Sequence, residues 1–153
     1  MAETVLTDLP RGAEKNGELW ELRGLVHELK EQWQDAARCF RQAVSLEPWR
    51  RKAQSHLVNV LRRQDDTTGA EVHAERAKEL FEIEERLATA THWMATTNMH
   101  PAAGSSFEIG DLYEKRGQAE EARAWYVEAL RLDPKNEAAR IGLSRLGRPM
   151  ERR

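Results

Sequence analysis

Two stretches of this chain repeat one another: residues 20–48 read WELRGLVHELKEQWQDAARCFRQAVSLEP and residues 106–134 read SFEIGDLYEKRGQAEEARAWYVEALRLDP. Seven positions of the first stretch are matched 86 residues later, and five of these seven pairs are identical. The pairs are Gly24 with Gly110, His27 with Tyr113, Ala36 with Ala122, Phe40 with Tyr126, Ala43 with Ala129, Leu46 with Leu132 and Pro48 with Pro134. The separation equals two periods of 34 residues plus an insert of 18. This spacing predicts a middle copy that begins 34 residues after the first.

The small residues of the repeat indicate closely packed helix pairs. A glycine inside a helix costs about 1 kcal/mol relative to alanine, so Gly24 and Gly110 are tolerable if a neighbouring helix packs against the bare backbone there. Alanines on the second helix of each pair allow the same close approach. Pro48 and Pro134 follow apolar-periodic runs and predict the ends of those helices, because proline disfavours the helical conformation in the residue before it.

The period of 34 residues resembles that of the tetratricopeptide (TPR) repeat. The first copy fits the family pattern at Trp20, Gly24, Ala36, Phe40, Ala43 and Pro48 and departs from it at Arg23 and His27. The third copy lacks the leading Trp, where Ser106 stands. The middle copy keeps the packing positions Leu57, Ala70, Ala74 and Ala77. The resemblance implies an all-α fold: a short α-solenoid of antiparallel helix pairs, or TPR-like superhelix, with a C-terminal capping helix.

The repeat sets the expected domain layout. We expect a flexible N-terminal arm (1–16), a helical domain (17–147) and a frayed basic tail (148–153). The domain comprises repeats at about 17–50, 51–84 and 103–136, an insert at 85–102 and a capping helix at 135–147. Thr68 with Glu71, and Ser105 with Glu108, have the spacing of capping boxes at helix starts. Apolar spacing from Leu80 onward predicts that the helix of the second repeat continues into the insert.

Composition limits the functional classes. The formal net charge is −2 over 153 residues, with no block of like charge, so nothing predicts a nucleic-acid partner. The single cysteine, Cys39, excludes an internal disulfide and is expected to be buried. No apolar run reaches the roughly 18 residues of a membrane span, and the N-terminus lacks the basic start and apolar core of a signal peptide. We therefore expect a cytoplasmic protein, provided that the chain begins at its native start.

The resemblance also implies a binding surface. In TPR proteins the first helices of successive pairs line a concave groove that holds peptides. The matching positions here are Glu18, Glu21, Leu25 and Glu28, then Lys52, Ser55, Asn59 and Arg62, then Phe107, Asp111 and Glu114. This acid–base–acid order predicts a peptide of mixed charge. Glu21 and Leu25 stand where the subclass that clamps chaperone C-termini needs Lys and Asn, so that specificity is not expected.

The insert carries His92, Met94, Met99 and His100. Imidazole and thioether groups suit copper, and imidazole alone also suits zinc. In a helix, however, His92 and His100 would lie about 12 Å apart at 1.5 Å per residue, too far to share one ion unaided. Packing of Trp93 and Met94 against the third pair, with the histidines at the surface, is the stronger interpretation.

No catalytic motif accompanies the repeats. The sequence has no glycine-rich phosphate loop, no nucleophile beside a plausible base, and no His-x-x-x-His zinc pair. We therefore predict a non-catalytic protein- or peptide-binding module without a cofactor, with an unidentified protein or peptide as partner. Self-association, or a structural role in a larger assembly, is the main alternative, and copper or zinc binding through the insert is the weaker one.

Overall fold

The computed structural model describes residues 13–147, which form seven α-helices and, within that range, no β-strand. The helices are α1 (Gly17–Leu29), α2 (Trp33–Leu46), α3 (Arg51–Arg63), α4 (Thr67–Thr97), α5 (Ala103–Arg116), α6 (Ala119–Leu132) and α7 (Glu137–Arg145). The prediction of an all-α fold is confirmed. Of the predicted arm, residues 1–12 lie outside the described part of the chain, as does the tail 148–153. Residues Ala13–Lys15 form one 3-10 turn, and the carbonyl of Glu14 accepts a hydrogen bond from the indole of Trp20.

The chain divides into two compact units, one ending at Phe81 and the other beginning at Glu82, so that α4 contributes residues to both. The first unit holds the α1–α2 pair, α3 and the start of α4. Its core is built on fully buried Phe40, Leu57 and Val60, with Ala70 from α4 packed into the same cluster. A Cβ placed on Gly24 would lie 2.5 Å from Cε1 of Phe40. The expected role of Gly24 in close helix packing is therefore confirmed.

The second unit repeats this arrangement with Tyr126 in place of the phenylalanine. Tyr126 is fully buried, and a Cβ on Gly110 of α5 would lie 2.7 Å from its ring carbon Cδ1. A Cβ on Gly142 of α7 would lie 2.6 Å from the ring carbons Cε2 and Cζ. Two glycines from different helices therefore pack against one aromatic ring. A separate apolar cluster joins Ile83 and Leu87 of α4 to residues of α5.

The helix ends predicted from proline agree with the structure, whereas the two predicted capping boxes do not. Helices α2 and α6 end two residues before Pro48 and Pro134, as expected. The predicted capping box at Thr68 is wrong, because α4 begins at Thr67 and Asp66 supplies the cap by accepting a 2.9 Å hydrogen bond from the amide of Gly69. The predicted box at Ser105 is also wrong: α5 begins at Ala103 and has no side-chain cap.

Most of the predicted insert is helical. α4 runs on to Thr97, as its apolar spacing indicates, so only residues 98–102 separate it from α5. Despite the length of α4, none of the described helices is both long enough and apolar enough to cross a lipid bilayer. The predicted capping helix is present as α7, where the side chain of Asn136 accepts a 3.0 Å hydrogen bond from the amide of Ala139.

Candidate peptide-binding cleft

A polar cleft of about 600 Å³ lies between α1 and α3 in the first unit. Its lining residues are Glu18, Glu21, Leu22, Leu25, Arg50, Lys52 and His56. Four of the predicted groove residues, Glu18, Glu21, Leu25 and Lys52, are thus brought together by the structure. The other three lining residues, Leu22, Arg50 and His56, were missed by the sequence reasoning. Arg50 precedes the first turn of α3, so counting along the helix faces does not find it.

The floor of the cleft is an ion-pair network centred on Arg50. Its Nε donates to Glu21 at 2.7 Å and its Nη1 donates to Glu47 at 2.8 Å, while the other oxygen of Glu47 accepts from the amide of Gly17 at 3.0 Å. Burial opposes the charged form of Arg50, but the hydrogen bonds that it donates to Glu47 and Glu21 outweigh this effect and raise the pKa of the guanidinium. Glu21 is correspondingly buried, with 8% of its surface exposed. This predicted groove residue therefore stabilises the junction of α1 with α3 and is not open to a ligand.

Another pair crosses the cleft farther along. Nδ1 of His56 lies 2.9 Å from a carboxylate oxygen of Glu28, a predicted groove residue. Ser55 is another predicted groove residue. Its hydroxyl donates a 3.0 Å hydrogen bond to the carbonyl of Arg51 and is therefore used within α3. Two of the acidic groups on α1, Glu21 and Glu28, therefore already have a hydrogen-bond partner in Arg50 or His56.

The side chains of α1 and α3 that remain available to a ligand are exposed to solvent. Lys52, Asn59 and Arg62 lie on the surface of α3, and within residues 13–147 no hydrogen bond or ion pair engages their side chains. Their spacing of seven and three residues puts all three on one helical face. Glu18 is the exposed acid of α1, and Leu22 is an apolar group with 47% of its surface exposed. The accessible surface is consequently basic on α3 and apolar with one acid on α1.

The remaining predicted groove residues lie in the second unit and are engaged there. The ring of Phe107 stacks on that of Tyr126, with centroids 5.7 Å apart. Asp111 pairs with Lys115 at 2.7 Å along α5. Glu114 accepts a 2.5 Å hydrogen bond from the hydroxyl of Tyr126 and two 2.9 Å bonds from Arg145 of α7. That these three residues extend the same groove remains a prediction.

The hydrogen bonds of Glu114 with Arg145 and Tyr126 are expected to make the free energy of unfolding depend on pH. Hydrogen bonding by Arg145 and Tyr126 lowers the pKa of Glu114 below its usual 4.5, although burial acts in the opposite direction. A carboxyl whose pKa is lower in the folded state contributes stability above its unfolded pKa and loses that contribution as the pH falls through its folded pKa. We expect Glu114→Gln to flatten the loss of unfolding free energy below about pH 4.5, measured by urea denaturation at successive pH values. Glu137→Gln, in an exposed pair with Arg140, is the matched control and should leave the profile as in the wild type.

The histidines and methionines of the insert differ in their exposure to solvent. His92, Met99 and His100 are exposed, whereas Met94 is partly buried against the Ile83–Leu87 cluster. Among residues 13–147, no three His, Cys, Asp or Glu side chains are grouped so that they could hold an ion. Trp93 remains 43% exposed, so the expected packing against the third pair is made mainly by Met94.

Comparison with known proteins identifies the repeats. The tetratricopeptide-repeat family model matches residues 17–48 and 103–136. A search of curated protein sequences finds no match to this chain. Similar solved structures include the first TPR of Spaghetti (RPAP3) bound to the HSP90 peptide SRMEEVD, at 15% identity with 87% of this chain and 91% of that chain covered and a TM-score of 0.43.

Two further solved structures are similar. The Arabidopsis OM64 TPR domain is 18% identical, with 88% of this chain and 97% of that chain covered and a TM-score of 0.44. The first TPR domain of human RPAP3 is 15% identical, with 87% and 91% covered and a TM-score of 0.42. The family-model match falls on the two segments that repeat one another in sequence and that fold as the α1–α2 and α5–α6 pairs. Those two segments of the chain are therefore tetratricopeptide repeats.

Proposed function

We propose that this chain is a non-catalytic module that binds a protein or peptide segment in the cleft between α1 and α3. The observation that carries the proposal is the cleft itself, about 600 Å³ in volume, in which four of the seven lining residues belong to the face expected to bind. A concave site with a few fixed polar groups is the usual form of a ligand site on a rigid scaffold. The core beneath it, built on Phe40 and Leu57, is fully buried and holds both helices in place.

The charge of the available groups defines the partner. Arg50 and His56 already contact the carboxylates of Glu21 and Glu28, so these four groups have partners within the fold and are less available to an incoming ligand. Lys52 and Arg62 are exposed cations, and Leu22 and Leu25 offer an apolar strip on the opposite helix. A segment with acidic residues toward α3, an apolar residue toward α1 and a base near Glu18 would complement this surface. Such complementarity sets specificity and association rate more than affinity.

A peptide-selection experiment tests this function. A random peptide library displayed on phage would be selected on the wild-type chain, and the enriched peptides would be measured by fluorescence anisotropy. We expect the combined variant Lys52→Glu, Asn59→Ala and Arg62→Ala to weaken binding of the cleft-directed peptides by about tenfold or more, because the rim cation is reversed and two further polar contacts are removed.

The control is Lys78→Glu, which makes the same charge reversal at an exposed position of α4 outside the cleft. Circular dichroism should show unchanged helix content in both variants. If every enriched peptide binds the cleft variant as tightly as the wild type, the α1–α3 cleft is not the binding site. If the control weakens binding equally, the effect is one of overall charge and the assignment fails.

A further inference from the structure

A second cavity, in the other unit, has a different chemistry. It lies between the last turns of α4 and the start of α5, has a volume of about 430 Å³, and contains apolar surface from Trp93, Met94, Ile109 and Leu112. Ile109 and Leu112 are buried and form its floor within the Ile83–Leu87 cluster. Trp93 keeps 43% of its surface exposed, so the cavity opens to solvent beside a large aromatic side chain. Contiguous exposed apolar surface on a soluble protein commonly marks a binding site.

The cavity also carries one charge of each sign on its two walls. Arg86 extends from α4 and Glu108 from α5, and both side chains are exposed. They do not pair with each other, and no hydrogen bond or ion pair joins either of them to another residue in the described range 13–147. The positive charge of Arg86 lies on the α4 side of the cavity, and the negative charge of Glu108 lies on the α5 side. A ligand with a negative charge facing Arg86 and a positive charge facing Glu108 would therefore bind in one defined orientation.

We propose that this cavity is a second docking site, which accepts one bulky apolar side chain of an amphipathic partner segment flanked by an acidic and a basic residue. The acid would face Arg86 and the base would face Glu108. Trp, Met and Arg, all present here, are the side chains enriched at protein interfaces, and a buried anchor surrounded by a polar rim is the usual energetic plan of such sites. An amphipathic segment laid in an apolar groove presents its anchor and flanking charges in this way.

The proposal concerns a surface separate from the α1–α3 cleft, and none of the residues that line one line the other. It therefore makes an independent prediction: peptides that use the second site should be unaffected by the combined Lys52, Asn59 and Arg62 variant. The two sites can accordingly be separated within one peptide selection.

The test uses the same phage-displayed library, with binders to an Ala90→Phe variant removed. Ala90 lines the cavity, so a phenylalanine there occupies the space meant for the anchor. Ala88→Phe, two residues earlier on the same helix and on its exposed face outside the cavity, is the matched control. We expect peptides that contain a bulky apolar residue between an acid and a base, whose affinity falls about tenfold or more with Ala90→Phe and stays within about twofold with Ala88→Phe.

Charge reversal supplies a second measurement that needs no change inside the cavity. Arg86→Glu should weaken the selected peptides, and the combined variant Arg86→Glu with Glu108→Arg should prefer a synthetic peptide whose acid and base are exchanged. Glu85→Arg, at an exposed neighbouring position outside the cavity, should have no such effect. Equal binding of both peptides to the double variant would overturn the charge assignment. Concentration-dependent dimerisation abolished by Ala90→Phe, or the absence of any selected peptide that is sensitive to Ala90→Phe, would overturn the proposed occupant.

Discussion

Replacing Tyr126 with alanine is expected to lower the free energy of unfolding by roughly 3–5 kcal/mol, the range for removing a large aromatic side chain from a core. Tyr126 is fully buried in contact with three helices: Gly110 and Phe107 lie on α5, Gly142 lies on α7, and the tyrosine itself belongs to α6. Gly110 and Gly142 have no side chains that could move into the space left by the ring. The measurement is urea denaturation followed by circular dichroism at neutral pH.

Tyr126→Phe distinguishes the contribution of ring packing from that of the hydroxyl hydrogen bond. The phenylalanine keeps the packing but removes the 2.5 Å hydrogen bond to Glu114, a loss expected to cost about 1–2 kcal/mol because the acceptor is charged. Burial and the nearby Glu114 raise the pKa of Tyr126, so the hydroxyl remains protonated and able to donate throughout the neutral range. An alanine variant no less stable than the phenylalanine variant would show that ring packing is not what holds these helices together.

Gly110→Ala is expected to destabilise the chain, although alanine is the better helix former. The new methyl would lie 2.7 Å from two ring carbons of Tyr126, and overpacking of this kind costs about 1–3 kcal/mol. The gain in helix propensity returns at most about 1 kcal/mol. The expected net loss of unfolding free energy is therefore about 1–2 kcal/mol, measured by the same urea denaturation.

Gly104→Ala is the matched control on the same helix. No atom lies within 4 Å of a Cβ built at Gly104, so the substitution should be neutral or should stabilise the chain by up to about 1 kcal/mol. Combining Gly110→Ala with Tyr126→Leu should cost less than the sum of the single changes, since the leucine gives the methyl more room. Equal effects of the two alanine substitutions would contradict the assigned contact.

Much of the fold could be predicted from the sequence because the same packing pattern occurs in both copies of the repeat. Gly24 and Gly110 each precede an aromatic residue by 16 positions, and both pairs are in contact. The C-terminal ends of α2 and α6 agree with the sequence prediction, since Pro48 and Pro134 follow these helices by two residues. The cap of α4 was misplaced by two residues, at Thr68 instead of Asp66, because Asp66, Thr67 and Thr68 can all cap a helix and sequence alone does not rank them in context.

The site was only partly predictable. Counting along helix faces found Glu18, Leu25 and Lys52, because these residues lie on the regular surface of α1 and α3. It could not show that Glu21 is held by Arg50, since that contact joins residues 29 positions apart. The second cavity was missed because one of its walls comes from the insert, which has no counterpart elsewhere in the chain to reveal its pattern.

The ring of Tyr126, enclosed by glycines of α5 and α7, also limits how this protein can change over generations. While the tyrosine is present, any larger residue at either glycine is disfavoured, and while both glycines are present, a smaller residue at the tyrosine leaves a void. Each of the three positions thus restricts the other two. Divergent descendants should retain all three together or exchange them together, through intermediates that need a surplus of stability from elsewhere.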